Sequence, residues 1–252
     1  MKHAREDAAG GPDRSDGVAT VAAGTSADGG GGAPGRLRRS WNRAPDGSGF
    51  HRRRADGVMA AAGLAIVAVC GLLVSNKVLV GADTAVFRWV NGWPGWLYPP
   101  MWVIQLSGVI GAAPLLAVIA ALLRRFRLAV ALIVATVLKS SLEDVAKMFV
   151  QRYRPGQTLS DVILRHGAAS HGLSFPSGHA MVIFAIAALV APYLTGRWKI
   201  LPWVLAAVVC LSRMYLGAHF PLDVLGGAGL GMFIGAATNL IFGVPRRAPT
   251  PA

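Results

Sequence analysis

PLDVLGGAGLGMFIGAATNLIFGV, residues 221–244, contains a single ionisable side chain, Asp223, close to its start. The rest of the run is apolar, small or uncharged. A helix that crosses a bilayer needs roughly 20 such residues, with about 17–25 tolerated, so this stretch reads as a membrane span. Its glycines suit close helix packing in lipid. Five further apolar runs lie upstream: Val58–Val74, Met101–Leu123, Leu128–Val150, Pro176–Leu194 and Ile200–Gly217. All six satisfy the length criterion, although the third and fifth carry charges. The fold class expected is therefore all-α and integral to the membrane: a six-transmembrane-helix bundle with a disordered basic N-terminal tail.

Composition excludes an ordinary soluble domain. Of 252 residues, 54% are hydrophobic and 15% charged, against roughly 45–50% and 25% in typical globular chains. Mean hydropathy is +0.49. A net charge of +13 first suggests nucleic acid, but its distribution argues otherwise. Residues 1–54 hold 10 Lys/Arg and 6 Asp/Glu, and residues 55–252 hold 15 and 6. The second set sits between apolar stretches, so it describes membrane orientation and no nucleic-acid partner is expected. Cys70 and Cys210 both fall inside apolar runs and support neither a disulfide framework nor a metal cage.

Three regions follow: a disordered cytoplasmic tail over 1–54, a six-span membrane domain over 55–245, and a short cytoplasmic tail over 246–252. The first is rich in Gly, Ala, Asp and Arg, with almost no large apolar residue to bury. Its arginines, Arg36 to Arg54, read as a positive-inside anchor; contact with anionic lipid is the alternative. Arg124, Arg125 and Arg127, then Arg197 and Lys199, then Arg246 and Arg247 all fall on the same side of a six-span path. That side should be cytoplasmic, with both termini inside a multi-pass plasma-membrane protein. Segments 75–100 and 151–175, and the region of His219, then lie outside. Trp89, Trp93, Trp96, Tyr98 and Trp102 suit an interfacial aromatic belt. Asp83-Thr84 is expected to cap a short surface helix whose Val86, Phe87 and Val90 face lipid.

The outer side nevertheless carries cations, and that exception points to function. Lys147, Arg152, Arg154 and Pro155 end the third run; Ser174-Phe175-Pro176-Ser177-Gly178-His179 opens the fourth. Ser212-Arg213 ends the fifth, and His219 and Asp223 open the sixth. Ionisable groups at such depth are costly unless they face a polar site or one another. Lys147, Arg154 and Arg213 can surround a phosphate, the arginines by forked hydrogen bonds and the lysine as a point charge. Ser177 and backbone N–H groups at a helix start form a natural anion site, and Gly178 lets a ligand approach the backbone. His219 and Asp223, four apart, share a face if helical, so the carboxylate can orient the imidazole. His179 supplies a second imidazole, and displacement at phosphorus needs one nucleophile and one general acid. Lys139, Glu143 and Asp144 read as structural, and His166 and His171 as solvated loop residues. Arg152 has two readings, substrate contact or solvated loop.

Jointly, Lys147-x6-Arg154-Pro155, Pro176-Ser177-Gly178-His179 and Ser212-Arg213-x5-His219-x3-Asp223 resemble the three-part signature of the type-2 phosphatidic acid phosphatase superfamily. The resemblance covers roughly residues 57–244. It implies that His219 attacks phosphorus with Asp223 polarising it, and that His179 protonates the leaving oxygen and then activates water. It implies that Lys147, Arg154, Ser177, Gly178 and Arg213 hold the phosphoryl oxygens. No metal and no other cofactor is expected. The preferred substrate is a lipid diphosphate of the undecaprenyl type, embedded in the bilayer with its head group at an extracytoplasmic site. Phosphatidate or phosphatidylglycerophosphate is the nearest alternative, followed by phosphoryl transfer to an alcohol. A non-catalytic lipid-phosphate binder or transporter on the same scaffold stands further off.

Overall fold

The computed structural model describes Trp41 and residues 49–246. The remainder of the expected tail and residues 247–252 lie outside the described residues. Phe50–His51 (β1) pairs antiparallel with Val244–Pro245 (β2), so the end of the segment expected to be disordered is tied to the end of the domain. The helices are α1 (Arg54–Ser75), α2 (Val80–Asn91), α3 (Tyr98–Gln105), α4 (Ala112–Leu122), α5 (Phe126–Phe149), α6 (Pro155–Thr158), α7 (Gly178–Val190), α8 (Leu201–Tyr215) and α9 (Pro221–Phe242). Among the described residues, three helical stretches are long and apolar enough to cross a membrane: Arg54–Ser75, Gly196–Tyr215 and Pro221–Phe242.

All six apolar runs are helical, with one correction. The run expected to be continuous over Met101–Leu123 breaks between α3 and α4, and its two parts are bent by 66°. The break has a packing cause. A Cβ on Gly108 would lie 3.1 Å from both the Cβ and the carbonyl oxygen of His179, so the interrupted backbone rests on the start of α7. With that bend counted as one crossing the candidates number four, and α7 with the turn after it is a shorter apolar helix.

Helix α9 organises the bundle. A Cβ on Gly227 would lie 2.4 Å from the Ser177 carbonyl, one on Gly231 2.4 Å from the Met181 carbonyl, and one on Gly235 2.5 Å from the Ala188 Cβ. These glycines recur every four residues, so one glycine face of α9 lies directly against the α7 backbone. On another face, Gly229 meets Gly63 of α1 just as closely. The apolar core is built chiefly from α4, α5 and α7, with Leu132, Met181 and Leu189 fully buried beside Ile234 of α9.

Helix α2 is amphipathic but turned over relative to expectation. Phe87 and Val90 are buried, while Val86 and Trp89 are exposed. Asp83 lies within the helix rather than capping it, because the helix starts at Val80 after Leu79 in the left-handed region. The buried face of α2 is therefore turned to the protein, and Asp83 points to the start of α9.

Candidate active site

Three chain segments converge on His219, which is buried between α8 and α9. Its Nδ1 lies 3.2 Å from the Ser174 hydroxyl. The Ser174 hydroxyl donates to Asp223 Oδ2 at 2.5 Å, whereas His219 Nδ1 is 3.9 Å from that oxygen. Asp223 thus reaches the imidazole through Ser174. Oδ2 also accepts the Phe220 backbone N–H at 2.9 Å, as a carboxylate at the third position of a helix does when it reaches back to the cap. The other ring nitrogen, Nε2, lies 3.3 Å from an Arg154 guanidinium nitrogen. Arg154 is itself held by the carbonyls of His171 and Ala218, each at 3.0 Å. Burial, reinforced by Arg154, Arg213 and His179, holds the His219 imidazole well below its usual pKa, so it is neutral at neutral pH.

Ser177 is held against α9 through its backbone, its N–H donating to the Asp223 carbonyl at 2.9 Å. Among the described residues its buried hydroxyl has no hydrogen-bond partner, and neither does the buried Nε of Arg213. Unpaired buried polar atoms are uncommon and costly, and here they are two of the groups expected to hold phosphoryl oxygens. One terminal nitrogen of the Arg213 guanidinium donates to the Gln105 side-chain oxygen and, at 3.2 Å, to the Gly167 carbonyl. Gln105 ends α3 just before the break, which explains why the bent pair belongs to the site. His179, in the first turn of α7, is half-buried.

Along α5, Lys147 donates to Glu143 at 2.6 Å, and Lys139 pairs with the other oxygen of that carboxylate. A Cβ on Gly178 would lie 3.1 Å from each Glu143 oxygen and 3.3 Å from the Lys139 nitrogen. Lys139 and Glu143, read from sequence as structural, therefore border the helix start where the phosphoryl group is expected. Asp144 is exposed, as are His166 and His171.

Residues 126–246 match the PAP2 superfamily model. A lipid A 4'-phosphatase from Bacteroides thetaiotaomicron is 30% identical over 169 residues, covering 61% of this chain and 73% of that protein. The chain belongs to the PAP2 superfamily. An undecaprenyl-diphosphatase from Sulfolobus acidocaldarius is 30% identical over 125 residues, 48% of this chain and 58% of that one. The chain spans about half the length of several curated relatives it matches. Among solved structures, LpxE from Aquifex aeolicus superimposes with a TM-score of 0.57 at 28% identity, covering 62% of this chain and 93% of that one. With its apolar helices, this PAP2 chain is a membrane protein.

Of the expected site residues in this PAP2 chain, His219, Asp223 and Arg154 are joined by direct or one-residue contacts. Ser177 and Arg213 offer unpaired atoms, Gly178 and His179 open α7, and Lys147 is engaged by Glu143. Sequence reasoning missed Ser174 and Gln105. Ser174 was legible in part, since it stands three residues before Ser177 in the motif segment. Gln105 was not, because it comes from a distant apolar run that looked continuous. Arg152, left with two readings, bonds the carboxylates of Asp83 and Asp223.

Proposed function

We propose that the protein is a lipid phosphate phosphatase working through a phosphohistidine. The observation that carries this reading is the two-sided setting of His219: Nδ1 is tethered through Ser174 to Asp223, while Nε2 faces Arg154. Nε2 attacks phosphorus and the bond from phosphorus to the leaving oxygen breaks. His179, protonated, gives that oxygen its proton. A water then passes a proton to His179 and attacks phosphorus, the P–N bond breaks, and phosphate leaves with His219 restored. Lys147, Arg154, Arg213, the Ser177 hydroxyl and the Gly178 N–H hold the phosphoryl oxygens and stabilise the charge that develops on them. The negative charge of Asp223, relayed by Ser174, stabilises the cationic imidazole of the intermediate.

The preferred substrate is an undecaprenyl-type diphosphate, a reading supported by the name of the Sulfolobus acidocaldarius relative. The apolar helices keep its chain in the bilayer while the cations take the head group. The six helical runs form six crossings, with the basic loops and both termini cytoplasmic and the site outside. Three cations balance the phosphate, so the reaction runs without a divalent metal. Vanadate, which adopts the five-coordinate geometry of in-line attack, inhibits it.

The test is phosphate release by the purified full-length protein from matched lipid mono- and diphosphates after exhaustive chelation, followed by vanadate titration. Release that stops on chelation and returns with Mg²⁺ sinks the metal-free mechanism. No release from any lipid phosphate sinks the activity itself.

A further inference from the structure

Arg152 occupies a place that the assigned roles leave unexplained. One guanidinium nitrogen donates to Asp223 Oδ1 at 3.1 Å. The other is bonded to Asp83 Oδ2. Asp83 Oδ1 in turn accepts the Leu222 backbone N–H at 2.9 Å, in the first turn of α9. The guanidinium lies over the Phe220 ring, 4.1 Å from its centroid, and that ring packs against Phe87 of α2 at 5.2 Å. Arg152 also acts through its backbone, since its carbonyl accepts the Ser174 N–H at 2.6 Å. A single residue therefore holds both groups on the Nδ1 side of His219: Ser174 by its backbone and Asp223 by its side chain.

A purely structural buried ion pair is the competing explanation, and its desolvation cost makes it a weak source of stability. The arrangement has features such a pair does not need. Two carboxylates share one cation, so Asp223 is oriented without being fully neutralised and keeps negative charge for the imidazole. The far side of the pair borders a cavity of about 420 Å³ that also reaches Val74, Thr84 and Phe220, so Arg152 is not filling a closed core. Rotation of the Asp223 carboxylate would break its bond to Ser174, and Arg152 is the group that opposes this rotation at Oδ1.

We infer that Arg152 and Asp83 are positioning residues for phosphoryl transfer, acting on His219 through Asp223 and Ser174. This rests on the phosphatase reading above. Neither touches the phosphoryl group; Arg152 sets the carboxylate, and Asp83 sets Arg152 and the first turn of α9. Arg152 is thereby removed from the groups that bind substrate.

The experiment compares full-length wild type with Arg152→Gln, Arg152→Lys, Asp83→Asn, Asp223→Asn and the Arg152→Gln/Asp223→Asn double variant. Each is assayed for kcat and KM on a lipid phosphate that the wild type hydrolyses. Arg152→Gln should lower kcat about 30-fold and leave KM within about threefold, since the loss falls on the transition state. Arg152→Lys should recover part of the loss, because one ammonium cannot bridge two carboxylates as a planar fork does. Asp83→Asn should lower kcat about fivefold, a smaller loss because it acts one step further from the imidazole. In the Asp223→Asn background, Arg152→Gln should cost less than about twofold, because the group it acts through has lost its charge. Equal losses in both backgrounds, or a loss confined to KM, would overturn the inference. If Arg152→Gln does not fold, the comparison is made with Arg152→Lys in both backgrounds. An active wild type with variants at its kcat overturns this inference alone; a wild type inactive on all lipid phosphates overturns the phosphatase reading with it.

Discussion

Glu143 with Lys147 and His219 with Asp223 look alike in sequence: an acid and a base four residues apart at one end of an apolar run. Their structures differ. Lys147 touches Glu143 directly at 2.6 Å, as neighbours on one continuous helix do. His219 and Asp223 stand 3.9 Å apart with Ser174 between them. The cause is the helix boundary. Glu143 and Lys147 both lie inside α5, whereas His219 precedes Phe220, the cap of α9, and Asp223 is in its first turn. The extended cap residue takes the imidazole off the helical face and leaves room for a hydroxyl from another segment. A spacing of four brings side chains together only when the helix runs through both.

The comparison is broken most severely at His219, the nucleophile proposed above. His219→Ala should lower turnover by about 10⁴-fold or more and remove acid-labile phosphate from the protein. Full activity in that variant overturns the assigned roles. Next comes the seam that brings the two regions level. Gly231→Val places side-chain atoms where the Met181 carbonyl already lies, 2.4 Å from the position of a Cβ. Overpacking there should cost about 3 kcal/mol or prevent folding, read as a lower midpoint of thermal unfolding in detergent. An unchanged midpoint would mean that α7 and α9 are not held by this contact.

The bridge itself is tested by Ser174→Ala, which leaves the His219 ring and Asp223 in place without the hydroxyl that joins them. A kcat loss of about tenfold, near the net worth of a buried hydrogen bond to a charged group, is expected. Wild-type kcat would show that the carboxylate acts on the imidazole without Ser174. A pH profile sharpens the same point. A cationic His219 cannot attack phosphorus, and burial together with Arg154, Arg213 and His179 depresses its pKa. Falling pH should therefore leave the neutral nucleophile intact through the ordinary imidazole value of about 6.5. After correction for substrate ionisation, the acid limb of kcat/KM should lie below that value. A limb at or above it contradicts the buried, neutral imidazole.

The smallest effect belongs to the direct pair. Lys139→Ala removes one of the two lysines on Glu143 but leaves Lys147 paired with it. Glu143 keeps a lysine partner four residues away on the same helix, and no group assigned to the phosphoryl oxygens is removed, so kcat should change by less than about threefold. A tenfold loss would make Lys139, which borders Gly178, a direct phosphate contact.

Hydropathy alone located the helices well, because the requirement is local: every backbone polar group of a lipid-embedded run must be bonded within that run. The six runs are largely helical in the structure, and among the described residues three, or four with the bent pair, are long and apolar enough to cross a membrane. The break at residues 106–111 was hidden because its cause is not local, the close approach of Gly108 to His179. The same holds for α2. Its apolar residues marked an amphipathic helix, but the direction it faces was set by Asp83, whose partners Arg152 and Leu222 lie far along the chain.

The site divides along the same line. The residue types and spacing in the three motif segments were enough to nominate Lys147, Arg154, Ser177, Gly178, His179, Arg213, His219 and Asp223, because phosphate chemistry needs those functional groups in any fold. Only the tertiary structure decided that Ser174 bridges His219 to Asp223, that Gln105 engages Arg213, and that Arg152 turns toward carboxylates rather than toward substrate. Each of those outcomes depends on which distant backbone is allowed close, and the glycine face of α9 against α7 sets that distance. A sequence specifies the donors and acceptors it carries. Their pairing is specified by packing, since a hydrogen bond is decided by tenths of an ångström that no local pattern encodes.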